Sequence, residues 1–225
     1  MDYTLIRSQR RTAAIHIIDG GVEVRAPLRM AKRDIDRFVA SKEKWINDRL
    51  VQSQLSAEQR RAFILYYGDT ATYRGVEYPL TAKAGKLAGF DNERFYLPPD
   101  LTPEQIKSAV VQLYRRLAKL HLTTRTEHYA GLMNVSPAAI KINAAKTRWG
   151  SCSTKKSLNF SWRLIMADDA VIDYVVVHEL AHITQMNHST RFWAIVADVL
   201  PDYKERQKRL KALQKRLNAE DWLET

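Results

Sequence analysis

The sequence feature that most constrains this chain is the run His-Glu-Leu-Ala-His at residues 178–182, with a further histidine at His188. In a helix, His178 and His182 lie on one face, one turn apart, so both imidazoles can bind the same Zn²⁺. Glu179 leaves the helix on a different bearing, where it can stand near a metal-bound water without being a ligand. This HExxH spacing is typical of metal-assisted hydrolysis in which the glutamate is the general base.

A third metal ligand is expected nearby, because a catalytic zinc usually takes three protein ligands and keeps one position open for water. His188 is the closest candidate, six residues after His182 and just beyond the expected end of the helix. Asn187 is predicted to end the helix as a left-handed C-cap, and Ser189 or Thr190 to cap the next helix. A chain reversal at this point would return His188 to the other two histidines.

The residues around the motif decide between a metal site and histidines that merely satisfy their hydrogen bonds inside a core, since HExxH also occurs by chance. Residues 174–177 are Tyr-Val-Val-Val, and Leu180, Ala181 and Ile183 interleave with the motif. The helix is therefore apolar nearly all round and is predicted to be buried. Buried imidazoles and a buried carboxylate cost free energy unless they are paired or bound to metal, so the flanks favour a metal site.

Composition places the chain among ordinary globular proteins. It has 225 residues, of which 45% are apolar and 27% charged, enough for one domain or two small ones. No apolar run approaches the ~20 residues of a membrane span, and the N-terminus lacks the apolar core of a signal peptide. The single cysteine, Cys152, excludes an internal disulfide. We therefore expect a cytoplasmic protein with no membrane partner.

The formal net charge of +11 suits nucleic acid, an anionic substrate or an acidic partner, but it also suits a merely soluble surface. Aromatic residues are not interleaved with the basic ones as they are in a base-stacking surface. The helix predicted after Pro201 has leucines on one face and lysines and arginines on the rest. A surface helix explains this pattern, and contact with nucleic acid or phosphate stays open as an alternative.

The remaining segments predict an α+β fold in which a β-hairpin and a helix precede the metal helix. Strands are predicted within residues 3–26, with a turn at Asp19-Gly20-Gly21, and a helix over residues 30–65. Short strands follow, and Pro98-Pro99-Asp100 is the best candidate boundary. We therefore divide the chain into a β-rich N-terminal region with one long helix, residues 1–98, and a catalytic domain, residues 99–225. The second part opens with a helix over residues 103–131, capped by Thr102.

A β-ribbon is predicted to feed directly into the metal helix, at an N-cap formed by Asp168 or Asp169. Its connecting segment, residues 147–153, reads Thr-Arg-Trp-Gly-Ser-Cys-Ser. Small residues beside a tryptophan permit close approach of a ligand, and an arginine can face an anion or an oxyanion. This segment therefore offers candidate substrate-binding residues, although a tight turn anchored by the tryptophan explains it equally well. The candidates are Arg148, Trp149, Gly150 and Ser151.

Taken together, these motifs resemble a known family. The segments 147–153, 178–182 and 187–193 look like the YgjP-like group of predicted metal-dependent hydrolases. The stretch at residues 24–27 and the helix around Trp45 are also similar, so the resemblance covers nearly the whole chain. The zinc spacing is similar to that of SprT-like and WLM metallopeptidases, which act on proteins bound to DNA.

The resemblance implies a zincin-like metallopeptidase fold: a small sheet, an active-site helix that bears the ligands, and supporting helices. It assigns zinc to His178, His182 and His188 and the role of base to Glu179. It does not decide the substrate, because hydrolysis of nucleoside triphosphates has also been proposed within the group.

Three functions therefore stay open. Zinc-dependent hydrolysis of a peptide bond is the first. A metal-dependent nucleoside triphosphate pyrophosphatase is the second, which the lack of a P-loop and of a carboxylate cluster for Mg²⁺ disfavours. The third is a nucleic-acid-associated binding module with a structural zinc, which would require a fourth protein ligand on the metal.

Overall fold

The computed structural model describes residues 1–18 and 20–222. Contacts divide the chain into two compact units. The first unit comprises residues 1–63 with 218–221, and the second comprises residues 64–217 with Trp222.

The first unit is a three-stranded sheet followed by two helices. Strands β1 (Thr4–Ser8), β2 (Ala14–Ile18) and β3 (Gly21–Pro27) lie in the order β1-β3-β2. β1 is parallel and β2 antiparallel to β3. Alternate residues of β3 are buried together with residues of the helices, because side chains of a strand alternate between its faces. This small core contains Val22, Val24, Ala26, Ile35, Val39 and Ile46.

The helix predicted over residues 30–65 is two helices, α1 (Lys32–Ala40) and α2 (Glu43–Ala62). The break falls at Ser41, whose hydroxyl donates to the carbonyl of Phe38 at 2.7 Å. A serine that bonds back to the preceding turn competes with helix continuation. The predicted turn between β2 and β3 includes Asp19, which lies outside the described residues. Its neighbour Gly20 has a φ of +76°, the left-handed conformation that a tight hairpin requires.

The second unit begins with a four-stranded sheet. Strands β4 (Thr70–Tyr73), β5 (Val76–Ala82), β6 (Gly89–Phe90) and β7 (Phe95–Leu97) lie in the order β4-β5-β7-β6. Helix α3 (Pro103–Leu132) follows, with Thr102 as its N-cap in a capping box with Gln105, which confirms the predicted start.

Side-chain contacts join this sheet to α3. Tyr114 of α3 donates its hydroxyl to the carbonyl of Thr72 at 2.7 Å, and its ring lies 5.7 Å from that of Phe95. The contact-based division therefore falls after Phe63, and the boundary at residues 98/99 lies inside the second unit. Prolines interrupt local structure there, but they do not prevent the flanking elements from packing together. As a functional division, the separation at 98/99 stays a prediction.

A second small sheet leads to the metal helix. Strands β8 (Ala139–Asn143), β9 (Gly150–Cys152) and β10 (Ser157–Ser161) lie in the order β8-β10-β9. β8 is parallel and β9 antiparallel to β10. A 3₁₀ turn, Trp162–Met166, separates β10 from helix α4 (Asp169–Thr184), so the ribbon does not feed directly into the helix. All five residues of that turn are buried.

Helix α4 is the buried centre of the second unit, as its apolar flanks predicted. Asp168 caps it by accepting the N–H of Val171 at 3.1 Å. Asp173 accepts two hydrogen bonds from Arg125 at 2.7 and 2.8 Å and one from Tyr129 at 2.9 Å. This buried ion pair ties α4 to α3. Helices α5 (Thr190–Val199) and α6 (Tyr203–Leu217) complete the unit.

Across the described residues the chain has six α-helices and three small sheets, which confirms the predicted α+β class. No described helix has the length and apolar character needed to span a bilayer.

Candidate metal centre

Three histidine side chains converge where α4 ends. His178 and His182 lie one turn apart on α4, and His188 lies in the loop between α4 and α5. One ring nitrogen of each lies within 4.8 Å of the others, and the Nε2 atoms of His178 and His188 are 3.0 Å apart. The three imidazoles therefore face a common point, as the spacing predicted.

The loop that returns His188 is built differently from the prediction. The C-cap of α4 is Gln185, with an extended backbone (φ −136°, ψ 100°), and Asn187 is not among the described residues with positive φ. The left-handed cap predicted at Asn187 is therefore wrong. Asn187 instead braces the loop by accepting the side-chain N–H of Gln185 at 2.6 Å. The early end of the helix leaves the loop long enough for His188 to fold back.

The same loop fixes the tautomer of His182. Its Nδ1 lies 3.1 Å from the carbonyl oxygen of Gln185, and a carbonyl can only accept, so Nδ1 carries the proton. Nε2 of His182 is therefore left with a free lone pair toward the other rings. A backbone carbonyl behind the distal nitrogen is a common way in which proteins orient a metal-binding histidine.

An aromatic residue of α5 holds the three rings in place. Phe192 is fully buried, and its ring centroid lies 4.9, 4.5 and 4.7 Å from those of His178, His182 and His188. The N-cap Ser189 fixes the first turn of α5 by accepting the N–H of Phe192, which confirms one of the two caps predicted. The helix start thus sets the position of the aromatic support.

Burial favours the neutral form of the two histidines on α4, because it lowers the pKa of each. Burial, together with smaller contributions from the nearby His182 and His188, lowers the pKa of His178 to about 3. Burial also lowers the pKa of His182, against the effect of its hydrogen bond to Gln185. Neutral imidazole is the form that binds metal, so His178 and His182 are held ready to bind it near neutral pH.

The donor set fits a metal ion. Within the described residues, Nδ1 of the mostly buried His178 has no hydrogen-bond partner, while its Nε2 faces His188. Ring nitrogens crowded together in this way cost free energy unless something accepts their lone pairs. Nitrogen ligands of this kind suit Zn²⁺. His16, His121 and His128 lie outside the described group of three.

Glu179 is buried beside strand β9. Its exposed fraction is 5%, and burial raises its pKa to about 7, while the positive charge of Arg148 opposes the rise. A methyl group at Gly150 would lie 2.6 Å from Oε1 of Glu179, so the absence of a side chain there makes room for the carboxylate. The pKa of the Cys152 thiol is raised chiefly by burial and, to a smaller extent, by the negative charge of Glu179.

A cavity of about 200 Å³ opens onto Glu179. Its lining includes Trp149 and Gly150 from the segment around β9, Tyr174 and His178 from α4, and Leu210 from α6. Of the predicted substrate-binding residues, Trp149 and Gly150 therefore lie at this cavity. Arg148 is exposed and influences Glu179 through its charge. Ser151 does not line the cavity, because alternation along β9 puts its side chain on the face opposite Gly150.

Besides Phe192, the centre includes Tyr174, Gln185 and Leu210, which were not among the predicted site residues either. Tyr174 lies 5.8 Å from His178 between ring centroids, and its position four residues earlier on α4 is the signal that could have indicated it. Gln185 acts through its backbone carbonyl, and Leu210 comes from a separate helix. Neither has a local sequence signal.

Comparison with known proteins found one protein family whose sequence model matches most of this chain. A family model described as "YgjP-like, metallopeptidase domain" matches residues 11–213. None of the curated proteins compared with the chain matches it.

Two solved structures show a limited likeness. The metallopeptidase zymogen abylysin of Pyrococcus abyssi is 23% identical, with 40% of this chain and 92% of that one covered and a TM-score of 0.38. The metallopeptidase zymogen jannalysin of Methanocaldococcus jannaschii is 24% identical, with 42% and 96% covered and a TM-score of 0.37.

Proposed function

Since the chain belongs to the YgjP-like family of metallopeptidase domains, we propose that it is a zinc-dependent peptidase. In this proposal His178, His182 and His188 bind the metal, and Glu179 is the general base. The observation that carries it is the convergence of three imidazole nitrogens within 4.8 Å, one residue away from a buried carboxylate. The family supports a metal-dependent hydrolase of peptides, while the choice of zinc and the residue roles are our proposal.

Three nitrogen ligands favour a catalytic over a structural site. Structural zinc usually has four protein ligands, whereas catalytic zinc has three and an open position. Within the described residues, the group that can bind a metal contains three histidines and no cysteine or carboxylate. When bound, zinc supplies Lewis acidity, which polarises a carbonyl and lowers the pKa of a coordinated water to about 7.

Glu179 is suited to move the proton. A carboxylate whose pKa is raised to about 7 by burial can both accept and release a proton near neutral pH. In peptide hydrolysis it would take the proton of the attacking water at a carboxylate oxygen and pass it to the leaving amine. The space at Gly150 allows the carboxylate to stay close to β9 while it does so.

The open edge of β9 supports a peptide as the substrate. The carbonyl of Trp149 accepts from Ser161 at 2.8 Å, and the N–H of Ser153 donates to Ser157 at 3.0 Å. Because hydrogen bonding alternates in an antiparallel pair, the N–H and C=O groups of Gly150 point away from β10. A peptide in an extended conformation can add to such an edge as a further strand. Its carbonyl groups would then pass beside Glu179.

The two alternatives have less support. No described residue adds the carboxylate ligands that Mg²⁺–phosphate chemistry uses, and no fourth protein ligand indicates a structural zinc. The positive net charge alone does not favour a nucleotide or nucleic acid over an acidic peptide.

A combined metal and substrate assay tests the proposal. The zinc-loaded protein should hold one equivalent of zinc and cleave peptides from a mixed library. Glu179→Gln should keep the zinc and lose about 10²–10⁴-fold in kcat, because only the proton transfer is removed.

The matched control for the metal is a pair of histidine variants. His188→Ala should release zinc to a chelator, whereas His128→Ala, outside the described centre, should not. Equal zinc retention by both variants contradicts the ligand assignment. Release of pyrophosphate from nucleoside triphosphates, lost in His178→Ala and unaccompanied by peptide cleavage, would replace the peptidase with a pyrophosphatase.

A further inference from the structure

Helix α6 presents a lysine stripe beside the metal centre. The helix is fixed to the start of α4, where Arg209 pairs with Asp168 at 2.6 Å and Arg206 donates to the carbonyl of Ala170 at 3.0 Å. These bonds determine which face of α6 is turned toward the centre.

The inward face of α6 contacts residues of the centre itself. The ring of Tyr203 stacks on that of Trp193, with centroids 5.3 Å apart and an interplanar angle of 17°. Gln207 donates to the hydroxyl of Tyr174 at 3.3 Å, and Leu210 lines the cavity at Glu179. Each of these three residues of α6 is followed directly by a lysine. The lysines are Lys204, Lys208 and Lys211, which share one face of α6 because they are four and three residues apart.

The lysines line a groove that is separated from the metal centre by the side chain of Trp193. A cavity of about 350 Å³ is bounded by the three lysines, Gln207, Tyr203 and Trp193. The ring centroid of Trp193 lies 5.8 Å from those of both His178 and His188. Trp193 is therefore a wall shared by the lysine groove and the candidate metal centre.

The charge of this groove is of one sign. None of its lining residues is acidic. Lys208 lies 3.2 Å from Glu205, but both side chains are well exposed, so the pair contributes little. Elsewhere among residues 1–18 and 20–222, no carboxylate pairs with Lys204 or Lys211 within 4.0 Å. A cleft lined by charges of one sign focuses its field on a ligand of the opposite sign.

We propose that this lysine groove binds the carboxylate side chains of an acidic segment of the peptide substrate, beside the bond that is cleaved. The inference rests on the proposed peptidase function and names its substrate class. Peptide fits better than single-stranded nucleic acid, because Trp193 and Tyr203 each present a face to the other rather than to a base.

Peptide binding to the Glu179→Gln protein, in which turnover is slowed about 10²–10⁴-fold, tests the proposal directly. Three fluorescent peptides of equal length, rich in Glu, Gln or Lys, are titrated with the zinc-loaded protein, and anisotropy is measured. The Glu-rich peptide should bind about tenfold more tightly than the Gln-rich one, roughly twofold for each lysine. Its affinity should fall as salt is added, while that of the Gln-rich peptide should not.

A charge-reversed triple variant provides the decisive comparison. Lys204→Glu/Lys208→Glu/Lys211→Glu should abolish the preference for the Glu-rich peptide. The matched control reverses three exposed lysines on other parts of the same unit, Lys86, Lys119 and Lys141, and should keep it. The salt dependence of the unsubstituted lysine groove needs no variant, so misfolding of the triple variant does not remove the test.

The outcomes separate this inference from the proposed function. Equal affinity for all three peptides, or equal loss in both triple variants, overturns the acidic-peptide proposal even if the enzyme cleaves peptides. A charge-selective groove in a protein that cleaves no peptide overturns the peptidase function instead. A single-stranded oligonucleotide that displaces the Glu-rich peptide and binds more tightly overturns the proposal in favour of nucleic acid.

Discussion

The buried carboxylate of Glu179 should destabilise the metal-free protein at alkaline pH, and Glu179→Gln should relieve that cost. The pKa of Glu179 is raised from 4.5 to about 7, chiefly by burial. The folded protein therefore holds the proton more tightly than the unfolded chain does. Stability from this group is fully present below pH 4.5 and is lost as the pH rises through about 7.

The size of the effect follows from the same interval. At about 1.4 kcal/mol per pH unit, the range from 4.5 to about 7 corresponds to roughly 3 kcal/mol. Glu179 is only 5% exposed, so solvent screens little of this cost. Since glutamine is neutral at every pH, Glu179→Gln should match the parent near pH 4 and exceed its free energy of unfolding by about 3 kcal/mol near pH 8.5.

Urea unfolding in the presence of a chelator measures this difference across the pH range. Trp162 and Trp222, which are buried in the second unit, provide a fluorescence signal for its unfolding. Glu127→Gln removes an exposed negative charge from the same unit and controls for a general charge effect. Added zinc should narrow the gap between parent and Glu179→Gln, because a nearby cation favours the charged carboxylate. A gap of the same size at pH 4 and pH 8.5 would refute the reasoning.

Three further predictions concern other parts of the second unit. Gly150→Ala places a Cβ 2.6 Å from both Cγ and Oε1 of the buried Glu179, so the carboxylate must shift and kcat/KM should fall about 100-fold. If activity survives, the carboxylate does not need this space. His188→Ala should weaken zinc binding in a chelator competition by at least about tenfold, and unchanged affinity would exclude His188 as a ligand. Asp173→Asn leaves Arg125 without its charged partner, so the free energy of unfolding should drop by about 2–3 kcal/mol. A loss below about 0.5 kcal/mol would mean that this pair does not hold α3 to α4.

The sequence predicted those elements whose structure depends on near neighbours. The starts of α3, α4 and α5 follow from the side-chain caps Thr102, Asp168 and Ser189, each of which binds a backbone N–H within three residues. The shared face of His178 and His182 follows from helical spacing alone.

Predictions failed where a distant contact or a competing local bond decided the structure. One long helix became α1 and α2 because Ser41 bonds back to the preceding turn. Residues 162–166 form a buried 3₁₀ turn, so the predicted β-ribbon does not feed directly into α4. In the loop after α4, Gln185 in an extended conformation took the role predicted for Asn187.

By itself, the sequence determined the chemical identity of the candidate centre: three imidazoles and one carboxylate at helical and loop spacing, because these depend only on residue type and local geometry. Only the tertiary structure decided how readily Glu179 and His178 bind a proton. The pKa values of Glu179 and His178 are shifted by burial, to which β9, α5 and α6 contribute from separate parts of the sequence. The space at Gly150 and the lysine groove exist for the same reason, since a cavity is formed between elements and no single segment encodes it.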